Sequence, residues 1–464
     1  MASKELNCTP EFKTLIGFET KQMNNLSKIV VFGASGFLGE HIIRHLVSNN
    51  FDVHAIVRTK PKYSTDTFDR TQVTYYEADL QDCESIKQVM EDADGIIFSA
   101  GCTWKPYLAI SEYYRENVQI TENFFTALGD RPDVRVVYTS SMSAVAGSNT
   151  PFIFSEDSDR SYVSESSLSP YDRAKIECEQ IALDYAKRGN NLVILNPGYM
   201  LGPGAFNDSK ITTSALVLEF CQKKSPIYIN GGHSFCDVRD VAKAHVAALT
   251  HGHSGDRYIL AGHNLEMAGI YHLMAKMTGL SSPSELPAQA VYPLSLLLEG
   301  LSLFSFNLFK NPYHPQFLKA ASLYYYADSK KAINELGYTI TPIETALLDT
   351  IRYFFARNLL PEDFRFFEEM TPSNAQALVY LRQLARSHPL SHFLLEKIPE
   401  IYRVCEANHC LNDTLAHLLT NSKFNDKAGR FQIDRAKCKD EIKTLNQLFE
   451  YLYFASDDFI SGVL

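Results

Sequence analysis

A glycine-rich turn constrains this chain more than any other feature. Gly33-Ala34-Ser35-Gly36-Phe37-Leu38-Gly39 follows the apolar run KIVVF (28–32) and precedes the amphipathic segment EHIIRHLV (40–47). A glycine triplet alone is weak evidence, but strand, turn and helix in this order make it specific. Gly33 permits the tight turn, Gly36 lets the main chain approach a pyrophosphate, and Gly39 lets the helix pack on a sheet. The anion then lies at a helix N-terminus, where free N–H groups and the dipole favour it. The turn, with Ser35, Phe37 and Leu38 between its glycines, predicts a dinucleotide site.

The runs VHAIV (53–57), VTYYEA (73–78), GIIFSA (95–100), VRVVYTS (134–140), NLVILN (191–196) and RYILA (257–261) read as further strands. Helical patterns separate them, as at 40–47, 83–91 and 117–128. Apolar strands alternating with helices specify a parallel sheet covered on both faces. With right-handed crossovers this is an α/β, doubly wound, Rossmann-type fold. Its core is expected over about 28–200 and 231–262, with a smaller mixed substrate lobe over about 201–230 and 263–345. Together they make one domain, 28–360, after an N-terminal extension, 1–27. Beyond Leu360-Pro361 only helical patterns stand out, at 374–387, 391–404, 410–420 and 439–455, so 361–464 reads as an all-helical extension.

The end of the second strand discriminates between dinucleotides. An NAD site wants an acidic residue there for the ribose 2′-OH, whereas this chain offers Val57-Arg58-Thr59-Lys60-Pro61-Lys62. A guanidinium with nearby ammonium groups, Arg58 and Lys62 foremost, suits a 2′-phosphate. NADP(H) is therefore the expected cofactor, with NAD(H) the alternative. Asp79 and Leu80 end the third strand near the adenine, and Ser99, Ala100 and Gly101 line the ribose and phosphates.

Tyr-x-x-x-Lys spacing puts a phenol and an ammonium one helical turn apart. Hydride transfer to a carbonyl needs a proton donor, and a tyrosine serves if a cation lowers its pKa. A charge about 4 Å away, at an effective dielectric near 20, interacts by roughly 4 kcal/mol, an upper bound of about 3 pK units. Two such pairs occur, Tyr171…Lys175 and Tyr326…Lys330. The first opens a helix after Ser169-Pro170 and follows the fifth strand, which ends in Thr139-Ser140-Ser141 at the ligand-binding sheet edge. The second lies in the lobe, without such a partner.

These pieces resemble the extended short-chain dehydrogenase/reductases, above all dihydroflavonol-reductase-like proteins, with 3β-hydroxysteroid dehydrogenases and NAD-dependent epimerase/dehydratases as neighbours. The matching segments are GASGFLG, AIVR (55–58), ADL (78–80), NVQITENFF (117–125), VVYTSSMSAV (136–145), SPYDRAKIECE (169–179), NPGYMLGPG (196–204), DVRDVAKAHVAAL (237–249), RYILAG (257–262) and YADSKKAINELGY (326–338). The resemblance implies a Ser141, Tyr171 and Lys175 triad, with Ser140 the alternative serine. It further implies that Asn117 supports the lysine through water, and that Pro197 and Gly198 border the nicotinamide, with Thr139 nearby. Two local departures are Asn196, where arginine is usual, and Ala174, where serine is common. The chain after 360 is a third.

Thr139-Ser140-Ser141-Met142 lacks the acidic pair of sugar-nucleotide dehydratases, and NGGHSFCDVRDVA lacks a basic residue before Asp237. The balance favours NADPH-dependent reduction of a ketone or aldehyde, or the reverse oxidation, over epimerisation or 3β-hydroxysteroid-type oxidation. A cofactor-binding scaffold using 361–464 for a partner is the alternative of another class. Trp104, Ser141, Met142 and Tyr199 are the substrate-side candidates for a small, largely apolar molecule. No metal is expected: Cys405, His409 and Cys410 lack a fourth ligand at sensible spacing.

Composition narrows the remaining classes. A net charge of −10 over 464 residues argues against a nucleic-acid face. Nine scattered cysteines without C-x-x-C indicate neither a disulfide framework nor a zinc finger, which fits a cytoplasmic setting. The first 27 residues lack a signal-type apolar core. The stretch 291–309 has the length of a bilayer span, but Pro293 and Glu299 interrupt it. It reads as a buried or amphipathic helix with at most weak membrane contact. A homodimer is expected.

Overall fold

The computed structural model describes residues 26–59, 73–103, 110–158, 167–204, 213–304, 315–356, 359–361, 364, 422–425 and 430–433. Seven strands form the main sheet: Lys28–Phe32, Asp52–Val57, Val73–Glu77, Gly95–Phe98, Arg135–Thr139, Leu192–Pro197 and Arg257–Leu260. All pair in parallel. Their spatial order is seventh, sixth, fifth, fourth, first, second, third. The order reverses between the first and fourth strands, which makes the crevice outside their C-terminal ends the ligand-binding place of such a sheet.

Alternation along the strands explains the two layers. Ile29, Val31, Ile97, Val137, Val193 and Leu195 face the helices Phe37–Ser48 and Val238–Ala247 in one buried core. Val30, Phe32, Ile96, Phe98, Val136 and Tyr138 face Cys83–Met90, Ile120–Leu128 and Pro170–Lys187 in the other. Phe32, Phe98 and Phe124 meet ring to ring there, with centroids 4.4 to 5.7 Å apart.

A second sheet runs His263–Glu266, Gly232–Asp237, Tyr324–Ala327 and Ile153–Phe154, with Tyr199–Leu201 also beside Gly232–Asp237. The stretch 231–262 is therefore split. Its first strand belongs to this sheet, while its helix and last strand belong to the core. The lobe's apolar centre gathers Leu201, Phe220, Phe235, Met274, Leu347 and Phe354.

The tail needs a correction. Ser422–Asn425 and Arg430–Ile433 pair as antiparallel strands where only helices were expected. The four expected tail helices lie outside the described residues. Residues 291–304 of the apolar stretch lie in the helix Ala288–Phe304, in which Val291 and Ser295 are buried while Leu296 and Leu297 are exposed, and 305–309 lie outside the described residues. No helix among the described residues is long and apolar enough to cross a membrane.

Candidate active site

The first strand delivers the chain into the glycine turn, where Gly33 takes a φ of +77°. A Cβ on Gly33 would stand 2.7 Å from the main chain of Ser99 and Ala100, so only glycine fits beside the fourth strand's exit. Ser99 is fixed there by two hydrogen bonds to the Phe32 carbonyl, 2.8 Å from Oγ and 3.0 Å from N. The helix begins at Phe37, behind Gly36, which has no side chain to cap the first-turn N–H groups. Gly39 packs on the turn itself rather than on the sheet, since a Cβ there would lie 2.1 Å from the Gly33 oxygen. This cradle of close main-chain approaches and open N–H groups fits a dinucleotide pyrophosphate.

Arg58 directly follows the second strand with an exposed side chain, and its guanidinium meets Glu116 at 3.1 Å. Arg115 holds the same carboxylate, also at 3.1 Å. Asp79 receives the Gln81 N–H at 3.0 Å, and the Leu80 carbonyl accepts from Asn123 at 3.0 Å. Lys62 and Trp104 lie outside the described residues.

Catalytic candidates converge at the end of the fifth strand. A capping box starts the helix Pro170–Lys187: Ser169 and Asp172 each accept the other's main-chain N–H. Burial pushes the Asp172 carboxyl up, against stabilising hydrogen bonds from Ser169 and Tyr325. The box fixes the first turn and so fixes Tyr171. The Tyr171 hydroxyl donates to Ser141 Oγ at 3.4 Å. Lys175, 8% exposed, places its ammonium 6.0 Å from the Tyr171 ring centre. Its charge also reaches Cys178, whose thiol burial pushes up while Lys175 draws it down.

Gly101 closes the other side. Its φ is +154°, and a Cβ there would meet Asn117 Oδ1 at 3.0 Å and Lys175 Nζ at 3.5 Å. Asn117 is buried within a π-helical turn, Tyr114–Gln119, a form that often marks functional sites. It accepts from Cys102 N and donates to the Tyr113 carbonyl. Tyr113 in turn meets the Tyr171 ring edge-on at 6.3 Å.

Ser140 gives its hydroxyl to Glu179 at 2.5 Å, whereas Ser141 Oγ accepts from the Tyr171 phenol. Tyr326 and Lys330 do not share a helical turn, because the strand ends at Ala327 and the next helix starts at Lys330. Pro197 closes the sixth strand, and Gly198 donates to the Leu260 carbonyl at 3.0 Å, tight against Ser234.

The Thr139 hydroxyl bonds His245 Nε2 at 2.9 Å. One expected contact is corrected. Met142, 4% exposed, packs with Val145, Phe154, Ile259 and Tyr325 rather than lining a pocket. Tyr199 is half-buried among His233 and Phe235, with centroids 5.3 and 5.1 Å away. Ala174 is buried against the sheet. Sequence reading missed Arg115 and Glu116 beside Asn117, and Glu179. A carboxylate one turn beyond Lys175 on a buried helix face was the available signal.

The family model described as "NAD dependent epimerase/dehydratase family" matches residues 29–261. The chain belongs to this family. A Synechocystis sp. protein with a provisional dihydroflavonol 4-reductase name is 31% identical over 340 residues, covering 70% of this chain and 93% of its own. Cinnamoyl-CoA reductase 2 of Medicago truncatula is 27% identical, covering 72% and 93%. A solved nucleoside-diphosphate-sugar epimerase from Pseudomonas aeruginosa shares the fold, with a TM-score of 0.57 at 23% identity over 72% of this chain and 99% of its own. As a member of this epimerase/dehydratase family the chain is an NAD(P)-dependent oxidoreductase with an extended short-chain dehydrogenase/reductase domain.

Proposed function

We propose that this chain reduces a ketone or aldehyde on a small, largely apolar molecule with NADPH. The observation that carries the reading is the Tyr171–Ser141 contact beside the buried Lys175 ammonium, at the ligand edge of the sheet. A nicotinamide dinucleotide on the glycine turn would supply the hydride. Every other requirement falls to side chains. Tyr171 and Ser141 present two hydroxyls to one point, where a carbonyl oxygen accepts from both. As that oxygen gains negative charge, Tyr171 passes it the phenolic proton. Lys175 stabilises the phenolate left behind, and Ser141 keeps the oxygen in line.

Arg58 supports the NADPH preference. Its exposed pair with Glu116 is worth at most about 1 kcal/mol, whereas a guanidinium–phosphate bond is worth about 1.5–3. A 2′-phosphate therefore displaces the carboxylate. Arg239 is not free for a sugar diphosphate, since Asp237 and Asp349 hold it at 2.6 and 2.9 Å. The reductase names of the relatives point the same way.

The test is NADPH consumption by the full chain against a panel of aromatic and aliphatic ketones and aldehydes. Tyr171→Phe is expected to lower kcat by about 10²- to 10⁴-fold with NADPH binding intact. Tight NADPH binding without turnover of any carbonyl by the wild type would replace the reductase reading with a scaffold.

A further inference from the structure

Glu179 carries a buried carboxylate that the chemistry above does not use. It lies on the helix Pro170–Lys187, eight positions beyond Tyr171 and four beyond Lys175, so the three side chains follow one helical face. It is 3% exposed. Its Oε2 accepts the Ser140 hydroxyl at 2.5 Å and the amide Nδ2 of Asn196, and its Oε1 faces the Arg257 guanidinium at 3.2 Å. The same Asn196 Nδ2 donates to the Ser141 carbonyl at 3.0 Å. One carboxylate thus holds two consecutive residues after the fifth strand, Ser140 directly and Ser141 through Asn196.

We propose that Glu179 is a positioning residue that sets the Ser141 hydroxyl against the Tyr171 phenol. A single helix then carries both the phenol, in its capped first turn, and the anchor of the serine it meets. The span between them, about 12 Å along the axis, is fixed by helical hydrogen bonds rather than by a loop. Arg257 keeps the arrangement affordable, because a buried carboxylate without a cation is strongly destabilising. The inference rests on the proposed role of Tyr171 as proton donor and assigns Glu179 no contact with substrate.

A merely structural Glu179 would cost stability without touching the Ser141–Tyr171 relation, and this separates the two accounts. In full-length protein with ¹³Cζ-labelled tyrosine, the Tyr171 resonance is identified by its loss in Tyr171→Phe. Ser141→Ala is expected to move it, and Glu179→Gln and Asn196→Leu to move it the same way while near-ultraviolet circular dichroism stays native. In turnover, Glu179→Gln should lower kcat by about ten- to a hundredfold with KM within about twofold. The double variant Glu179→Gln/Ser141→Ala should be no slower than Ser141→Ala alone. An unmoved Tyr171 resonance in both Glu179→Gln and Asn196→Leu, or losses that multiply in the double variant, would overturn the proposal. If Glu179→Gln does not fold, Asn196→Leu decides, because it leaves the Glu179–Arg257 pair in place. Absence of wild-type turnover would refute the reductase reading alone, since the resonance judges the positioning without catalysis.

Discussion

Replacing Gly39 by alanine sets two effects of opposite sign against each other. Gly39 is the third residue of the helix Phe37–Ser48, and helix propensity favours alanine there by about 1 kcal/mol. The new Cβ, however, would stand 2.1 Å from the Gly33 oxygen, 2.9 Å from its carbon and 3.0 Å from Ala34 Cα. Carbon contacts relax only near 3.5 Å, so the helix start must retreat by more than about 1 Å. The carbonyl cannot step aside, because it accepts the Gly36 N–H at 2.8 Å and Gly33 is wedged against Ser99 and Ala100. Overpacking of this kind costs up to about 3 kcal/mol, so sterics win and the net loss is about 2. Cofactor binding should suffer further, because the retreat carries the first-turn N–H groups away from the anion. Losing one charge-assisted hydrogen bond of about 1.5–3 kcal/mol weakens NADPH by roughly ten- to a hundredfold. Urea unfolding of the cofactor-free protein and fluorescence titration with NADPH measure the two effects separately. A Gly39→Ala protein that is more stable than wild type and binds NADPH equally well would refute the cradle.

Other consequences follow from the same geometry. Arg58→Asp should weaken NADPH relative to NADH by about tenfold or more, while Glu116→Gln, which frees both guanidinium groups, should tighten NADPH severalfold and leave NADH unchanged. Titrations at low and high salt check this, with smaller differences expected at high salt. His245 is buried between Thr139 and the Val241 carbonyl, and burial pulls its pKa down to about 4. Its unfolded value is about 6.5, so the unfolded chain binds the extra proton between these limits. Stability therefore falls with pH from about 6.5 toward 4, by about 1.4 kcal/mol per unit for this residue. His245→Gln should flatten the pH dependence of the urea midpoint in that window, and an unchanged slope counts against it. Ser169→Ala should cost about 1 kcal/mol through the lost cap and lower kcat by loosening the turn that bears Tyr171.

What the sequence made legible was local. The seven runs became the seven strands within a residue or two, because a parallel sheet buried on both faces demands short continuous apolar segments. The glycine turn and the Tyr171…Lys175 pair stood out by their places relative to those segments, whereas Ser141 was singled out over Ser140 only by the family resemblance. What stayed hidden depended on residues distant along the chain. Met142 follows the serine and so read as pocket-facing, yet Ile259 and Tyr325 arrive from more than a hundred residues away to bury it. Thr139 sits at the ligand edge, but His245 claims its hydroxyl from another helix. The Ser422–Asn425 and Arg430–Ile433 pair escaped notice because SKFN and RFQI are too short and polar to show a clear alternation. Arg58 read correctly as basic and strand-terminal, while its contest with Glu116 required the π-helical turn to bring that carboxylate across.

Asn196 lies beside a buried carboxylate whose cation comes from a neighbouring strand. The resemblance leads to arginine there, next to a helix whose Glu179 points at the same spot. A neutral amide would leave that buried carboxylate uncompensated, at a cost far above what one hydrogen bond returns. The neighbouring seventh strand resolves this through its register, in which Arg257 lies opposite Ile194 and Ile259 opposite Asn196. The guanidinium therefore enters from the strand start, 29% exposed at its side chain, and meets Glu179 from the opposite side to Ser140. The amide is then free to do what an arginine in ion pairing would do less well: its one nitrogen ties Glu179 to the Ser141 carbonyl. Charge balance and serine placement are thereby divided between two residues. An arginine restored at 196 should consequently fail to improve the site while Arg257 remains, because two guanidinium groups would compete for one carboxylate and the tie to Ser141 would be lost. Asn196→Arg should lower kcat, and Asn196→Arg/Arg257→Leu should recover stability but not the full rate.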